Sequence, residues 1–409
     1  MLSTSVQVIG AFVALYPIVT SAAWVAGGLL FQLLEDEERI QEPEGGWPAV
    51  TMLIPAYNEA AVIGHCIHAA LSIDYDELEV LILDDGSTDD TVAAAVRAAE
   101  GHPQVEVIPD PVNQGKADRL NLGFQQARHE LVLVCDADTH LHPEAVKQLV
   151  SRLSRSPLVA AVAGSPHVTN RSSLVAGLQI LETASIIGLV RRTWALSGRV
   201  GVVAGVLGLF RRQAVLDVGG YDGRMATEDI DLSWRLLLAG WNTAYEPRAL
   251  VGMQVPSTLR PLWAQRCRWA RGQGEVLRTH TRAIAQWRNR RLWALVAEAW
   301  SSLLWLVLLV LAATIALITT AAGESIDTGG FVIGWGIAIA VIAAVQLAFA
   351  VAIQFRLDHR GSRALLLGPL FPLGYWIIAA AAALRSEVPS VFSGPREKRV
   401  VWNIDREDE

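Results

Sequence analysis

The feature that most constrains this chain is where its charges are missing. Residues Met1 to Leu34 carry no charged side chain, and long apolar runs return after about residue 299. The middle has the mixed composition of an ordinary soluble domain. With hydrophobic residues at 52% and a mean hydropathy of +0.33, the pattern reads as anchor, soluble domain and membrane bundle. A bilayer needs roughly 20 consecutive apolar residues. Four stretches meet that length, at about Val8–Leu34, 299–322, 329–354 and 364–384. The first has no basic segment before it and is long for a signal peptide, so an uncleaved anchor is expected.

The charged residues orient the chain. Arg288, Arg290 and Arg291 precede the second stretch, and Arg356, Arg360 and Arg363 separate the third from the fourth. Loop 323–328 has neither Lys nor Arg. The positive-inside rule then places the soluble domain on the cytosolic side. The tail conflicts with this, because a fourth full span would export Arg396, Lys398 and Arg399. Gly368, Pro369, Pro372 and Gly374 offer a way out, by breaking the last stretch into a re-entrant hairpin. A net charge of −7 argues against a nucleic-acid partner. Cys66, Cys135 and Cys267 show no metal-ligand spacing and read as reduced thiols.

Residues 35–46 are acidic, close on Gly-Gly and read as a hinge. From 49 to about 248, short Val/Ile/Leu runs alternate with helical stretches. Residues 50–54, 79–83, Val105–Ile108 and 130–134 read as strands. Residues 60–72, 90–99 and 116–127 read as helices, the second capped by Asp89 or Asp90. Such alternation implies a mostly parallel sheet covered on both faces.

In open α/β sheets ligands bind beyond the carboxyl ends of the strands, and acidic clusters fall there. Pro55, Tyr57 and Glu59 close the first strand, and Asp84-Asp85 closes the second. A carboxylate at that place accepts hydrogen bonds from a base or a ribose, although Asp-Gly-Ser is equally a turn sequence. Asp136-Ala137-Asp138 follows the fourth strand. Asp-x-Asp can offer two hard oxygens to Mg2+ or Mn2+, and alone it is a weak motif. Lys116, opening a helix, suits a phosphate or base. Thr227-Glu228-Asp229 opens another helix, where acidic residues also stabilise the helix dipole. Asp229 suits a general base toward an acceptor hydroxyl. Gln265, Arg268 and Trp269 follow, with Gln265 and Trp269 on one helical face. An indole beside polar donors suits a sugar, and equally a membrane interface.

In this order and spacing the segments resemble the family-2 glycosyltransferases, within them the processive membrane synthases of hyaluronan, chitin, cellulose and poly-N-acetylglucosamine. The match runs from about residue 50 to 275. The resemblance implies an α/β GT-A nucleotide-sugar-binding domain plus an α-helical transmembrane bundle. It implies that Asp84 contacts uracil or ribose near Pro55, Tyr57 and Glu59, and that Lys116 and Asp136 lie beside the nucleotide. Asp138 would hold the metal and Asp229 would be the base. Glu228, Gln265, Arg268 and Trp269 would line the diphosphate and the acceptor entrance. The expected layout is anchor 1–34, linker 35–48, cytosolic catalytic domain 49–255, interfacial helices 256–293, membrane helices 294–385 and polar tail 386–409. A single span before the catalytic domain, and no appended regulatory domain, fit the compact poly-N-acetylglucosamine or chitin-oligosaccharide type better than cellulose synthase.

The implied reaction is inverting, processive polymerisation of a UDP-sugar, foremost UDP-N-acetylglucosamine, into a β-linked polysaccharide at the plasma membrane. Its partners would be the donor, the growing glycan, the bilayer and an accessory membrane or export subunit. Transfer of one sugar to a membrane lipid is the rival. A transporter or scaffold with a degenerate nucleotide domain fits poorly, because every expected carboxylate is present.

Overall fold

A computed structural model describes residues 4–35, 40–322, 329–357 and 364–400. A charge-free helix opens the chain (α1, Thr4–Leu34). Then come β1 (Val50–Ala56), α2 (Ile63–Leu71), β2 (Leu78–Asp84), α3 (Thr91–Ala99), β3 (Val105–Ile108), α4 (Lys116–Gln126) and β4 (Leu131–Cys135). Next are β5 (His140–Leu141), α5 (Ala145–Ser154), β6 (Val159–Val168) and α6 (Leu174–Glu182). A π-helical turn, Thr183–Gly188, continues α6 into α7 (Leu189–Ala195). The sheet domain closes with β7 (Leu207–Arg211), α8 (Arg212–Asp217), α9 (Glu228–Leu238) and β8 (Asn242–Met253). The long α10 (Leu259–Ile284) leads through a tight turn, Trp287–Leu292, to α11 (Trp293–Ala321) and α12 (Gly329–Leu357). Helix α13 (Phe371–Ala382) runs through a second π-helical turn, Ala383–Glu387, into α14 (Val388–Ser393).

The eight strands form one mixed sheet in the order β3-β2-β1-β4-β7-β6-β8-β5. The four expected strands are parallel neighbours, and β7 enters antiparallel between β4 and β6. Strands β1, β2 and β4 are buried along their whole length. Burial on both faces explains why they read as continuous apolar runs rather than alternating ones. One core layer packs Ile63, Ile67, Leu149 and Leu153 on the sheet. The opposite layer holds Leu120, Phe124, Leu232 and Leu236, with Phe31 from the end of α1. The linker is tied down at both described ends. Glu35 pairs with Arg152, and the Gln41 N–H donates to Ser151 Oγ at 2.9 Å. Residues 36–39 lie outside the described set.

Among the described residues four helices are long and apolar enough to cross a bilayer: Val8–Leu34, Leu174–Ala195, Trp287–Ala321 and Trp335–Leu357. The second was not expected from its sequence. It is 72% buried inside the protein, packed between β6 and β8 on one side and α1 and α12 on the other. It is an apolar helix at the junction of sheet and bundle. The span expected at 364–384 falls on a helix of later register, since α13, the π-helical turn and α14 form one continuous helical run from Phe371 to Ser393. Pro372 stands in its first turn, where its ring and missing N–H are tolerated. The chain then packs on α10 and returns to the sheet domain, where Arg399 Nη1 meets Asp118 Oδ2 at 2.7 Å. This return removes the conflict over the basic tail. Loops 323–328 and 358–363, with Arg360 and Arg363, lie outside the described residues.

Candidate active site

The register brings the carboxyl ends of the central strands level. Ala56 of β1 pairs with Asp84 of β2, and Leu53 pairs with Val134 of β4, just before Asp136. The loops beyond these ends are braced on each other. Asn58 adopts a left-handed backbone (φ 54), a conformation Asn tolerates. Its N–H donates to Ser87 Oγ at 3.0 Å, and its Oδ1 accepts the Thr88 N–H at 2.9 Å. The cap of α3 is Asp89. Its Oδ1 accepts the Thr91 N–H at 3.0 Å and its Oδ2 the Ala60 N–H at 3.2 Å; Asp90 makes no side-chain cap bond. Gly86 (φ +72) lets this loop close on the chain before α4, since a Cβ there would stand 2.6 Å from the Asn113 nitrogen.

The adjacent aspartates diverge. Asp85 is fully buried. Its two oxygens accept the N–H groups of Gln114 and Gly115, each at 2.8 Å, and Arg119 Nε stands 3.6 Å away. Burial raises its pKa, against the pull of those donors. Asp84 is 2% exposed. Its Oδ2 accepts Gly86 and Ser87 N–H groups at 3.2 and 3.3 Å, while its Oδ1 is buried with no hydrogen-bond partner among the described residues. A buried oxygen of this kind is costly unless a ligand donor meets it.

Lys116 heads α4 and pairs with Asp136. Gly205 makes room, since a Cβ there would lie 2.9 Å from Lys116 Nζ. Burial disfavours the ammonium, yet Asp136, Glu228 and Asp229 overcome it and hold the lysine charged well above its ordinary range. Glu228 is shifted upward, by burial first and then by Asp229, with Lys116 and Arg268 opposing. So Lys116, Asp136, Glu228, Asp229 and Arg268 share one electrostatic neighbourhood. Pro55 is buried in β1, and Tyr57, Glu59 and Asp138 border the same edge.

The Thr227–Asp229 segment is gripped by α10. Gly272 packs so closely that a Cβ would overlap Thr227 Oγ1. The Ala226 N–H donates to Glu275 Oε2 at 2.8 Å, and Arg271 Nε donates to Glu275 Oε1 at 2.6 Å. One turn on, His280 Nε2 lies 2.7 Å from Asp231 Oδ1, whose other oxygen accepts from Arg235 Nε at 2.8 Å. Gln265 and Trp269 lie in the first turns of the same helix. Gln265 Oε1 and Thr227 Oγ1 are buried without partners among the described residues. Arg268 is exposed on this helix, and Arg266 turns inward to Glu182.

Sequence reading missed Glu275, Asp231, His280 and the Arg266–Glu182 pair. The i, i+4 spacing of Arg271 and Glu275 was available as a clue. The others join distant segments and left none.

The donor set suits a divalent cation. Asp136 and Asp138 supply hard oxygens at a strand end, a type that takes Mg2+ or Mn2+ together with substrate phosphates. Among the described residues no group of three or more metal-ligating side chains converges. The pair therefore suits an ion that shares its shell with a diphosphate.

The architecture has known counterparts. A mannosyltransferase from Pyrobaculum calidifontis, PcManGT, solved in complex with GDP-Man and Mn2+, superposes with a TM-score of 0.59 at 22% identity, covering 84% of this chain and 99% of that one. The fold is that of a GT-A glycosyltransferase. A family model described as "Glycosyltransferase like family 2" matches residues 48–272, over half the chain, and the protein belongs to that family. Poly-beta-1,6-N-acetyl-D-glucosamine synthase of Staphylococcus epidermidis is 32% identical over 388 residues, 91% of this chain and 92% of that protein. The enzyme of the same name from Staphylococcus aureus strain COL is 32% identical over 385 residues, 91% and 92% of the two chains.

Proposed function

We propose that this glycosyltransferase polymerises UDP-N-acetylglucosamine into a β-linked polysaccharide at the plasma membrane, with its catalytic domain in the cytosol. One observation carries the reading. The strand-end carboxylates and the Thr227–Asp229 segment meet at one edge, locked there by the helix that also carries Gln265, Arg268 and Trp269. Relatives covering nine tenths of the chain, named as synthases of such a polymer, support it.

Asp84 Oδ1 accepts from the uracil or ribose, beside Pro55, Tyr57 and Glu59. Lys116 and Arg268 bring positive charge to the diphosphate. Asp138 would hold the divalent cation, with Asp136 on the nucleotide side, and the ion would supply positive charge to the leaving diphosphate. Asp229 accepts the proton of the acceptor hydroxyl. That oxygen bonds to the anomeric carbon as the bond to the diphosphate breaks, UDP leaves, and the configuration inverts. Trp269 stacks the terminal sugar of the acceptor, and the product leaves beside the membrane helices, alone or through an accessory subunit.

The test is UDP release by purified protein in lipid across a panel of UDP-sugars, with the product sized on a gel. Release with UDP-N-acetylglucosamine and a long polymer is expected. A product of one sugar on a lipid would replace polymerisation with glycolipid synthesis.

A further inference from the structure

Between the end of α6, the start of α10 and α13 lies a buried polar cluster that no part of the proposed chemistry uses. Glu182 is 4% exposed and Arg266 is 5% exposed. Arg266 Nη2 stands 2.5 Å from Glu182 Oε2 and 3.4 Å from Gln179 Oε1. The other Glu182 oxygen accepts the Tyr375 hydroxyl. Gln179 is itself anchored, donating to the Pro256 carbonyl at 2.8 Å just before α10 begins. The Arg266 guanidinium lies over the Trp269 ring at 4.3 Å and 5.5 Å from the Tyr375 ring.

We infer that Glu182 is a positioning residue for acceptor binding, acting through Arg266 on the plane of the Trp269 indole. The inference rests on the acceptor role proposed for Trp269. A buried guanidinium is retained only while a carboxylate faces it. Glu182 therefore decides that Arg266 stays inside, over the indole, rather than swinging out to water. A cation over a ring also restrains the ring's tilt. An indole that stacks a sugar must hold its plane, because stacking is lost when the faces are not parallel. Glu182 is the last residue of α6, where the π-helical turn starts. Such turns recur at functional sites, where they re-aim a side chain.

The experiment measures extension of a β-linked N-acetylglucosamine pentasaccharide by the full-length protein in nanodiscs, at saturating donor. Glu182→Gln keeps the size of the side chain but removes its charge and turns one of its two accepting oxygens into a donor. It is expected to raise the acceptor KM about tenfold with kcat changed less than about threefold, the mark of lost binding shared by ground and transition states. In a Trp269→Ala background the same substitution should add nothing, since the two act as one unit. Additive effects would overturn the inference, because a general structural role adds. If Glu182→Gln does not fold, Tyr375→Phe serves, since it removes one hydroxyl donor and keeps the ring. A threefold rise in acceptor KM supports the inference, and an unchanged KM overturns it. Wild-type protein that fails to extend the pentasaccharide would remove the acceptor reading and this inference with it. Extension with an additive cycle would remove the inference alone.

Discussion

Asp84 and Asp85 are neighbours in sequence with opposite surroundings. Asp85 is saturated by two backbone N–H groups and an arginine, while Asp84 keeps an oxygen unmet. The Asp-Asp pair was legible as a strand-end cluster. The resemblance pointed to Asp84 as the member toward the nucleotide, but that Asp85 is saturated could not be read, because it depends on where Gln114 and Gly115 sit. At the proposed base, Asp229→Asn should lower transfer by about 10²–10⁴-fold while calorimetry finds UDP affinity nearly unchanged. Full activity would remove Asp229 from that role. Burial and the neighbouring Asp229 hold Glu228 above the value of an unfolded glutamate. A raised folded pKa means that the folded chain binds this proton more tightly. Its contribution to stability is therefore present below the unfolded value and is lost as pH rises through the folded one. Glu228→Gln should therefore flatten the fall in thermal stability as pH rises above the ordinary carboxylate range, read by unfolding in detergent, and an unchanged slope would exclude Glu228 from that titration.

The elements differ in how much of them could be read in advance. Strands β1 to β4 emerge from Val-, Ile- and Leu-rich runs with turn residues between them. The later strands do not. β6 is rich in Ala with a Gly and a Pro, which carries little strand preference, and antiparallel β7 breaks the alternation rule. The Leu174–Ala195 helix hid inside what reads as the soluble domain, because burial between sheet and bundle needs the same apolar side chains as a bilayer. Helix α10 shows how the site depends on packing between elements. Gly272→Ala should push α10 off Thr227 and displace the adjoining Asp229. A misplacement of about 1 Å can cost about 10²-fold, so kcat should fall by that order while thermal unfolding in detergent shifts little. Unchanged kcat would show that the contact is not required.

For the whole molecule, the membrane arrangement and the metal each give a test. EDTA should stop turnover and Mg2+ or Mn2+ should restore it, and persistence in metal-free buffer would discard the role given to Asp138. With Cys66 and Cys135 buried, a Cys267→Ser, Arg128→Cys double variant carries one accessible thiol on the sheet domain. A membrane-impermeant maleimide should label it in inside-out vesicles and not in intact cells; the reverse would invert the topology. The overall plan of anchor, α/β domain and bundle was legible, because runs without charge are conspicuous. The packing of the last helical run along α10 was not, because composition counts apolar residues and does not see what a helix packs against.

The packing of α10 also has a consequence for biosynthesis. Gly274 of this helix sits directly against Ser390 and Glu387, residues that leave the ribosome only after α11 and α12 have been made. A nascent chain therefore completes its sheet long before it can cover the back of the helix that grips Asp229. Synthesis of the enzyme and its competence are separated in time, and a chain stalled during insertion would hold every carboxylate proposed for catalysis while drawing little on the cell's activated sugar.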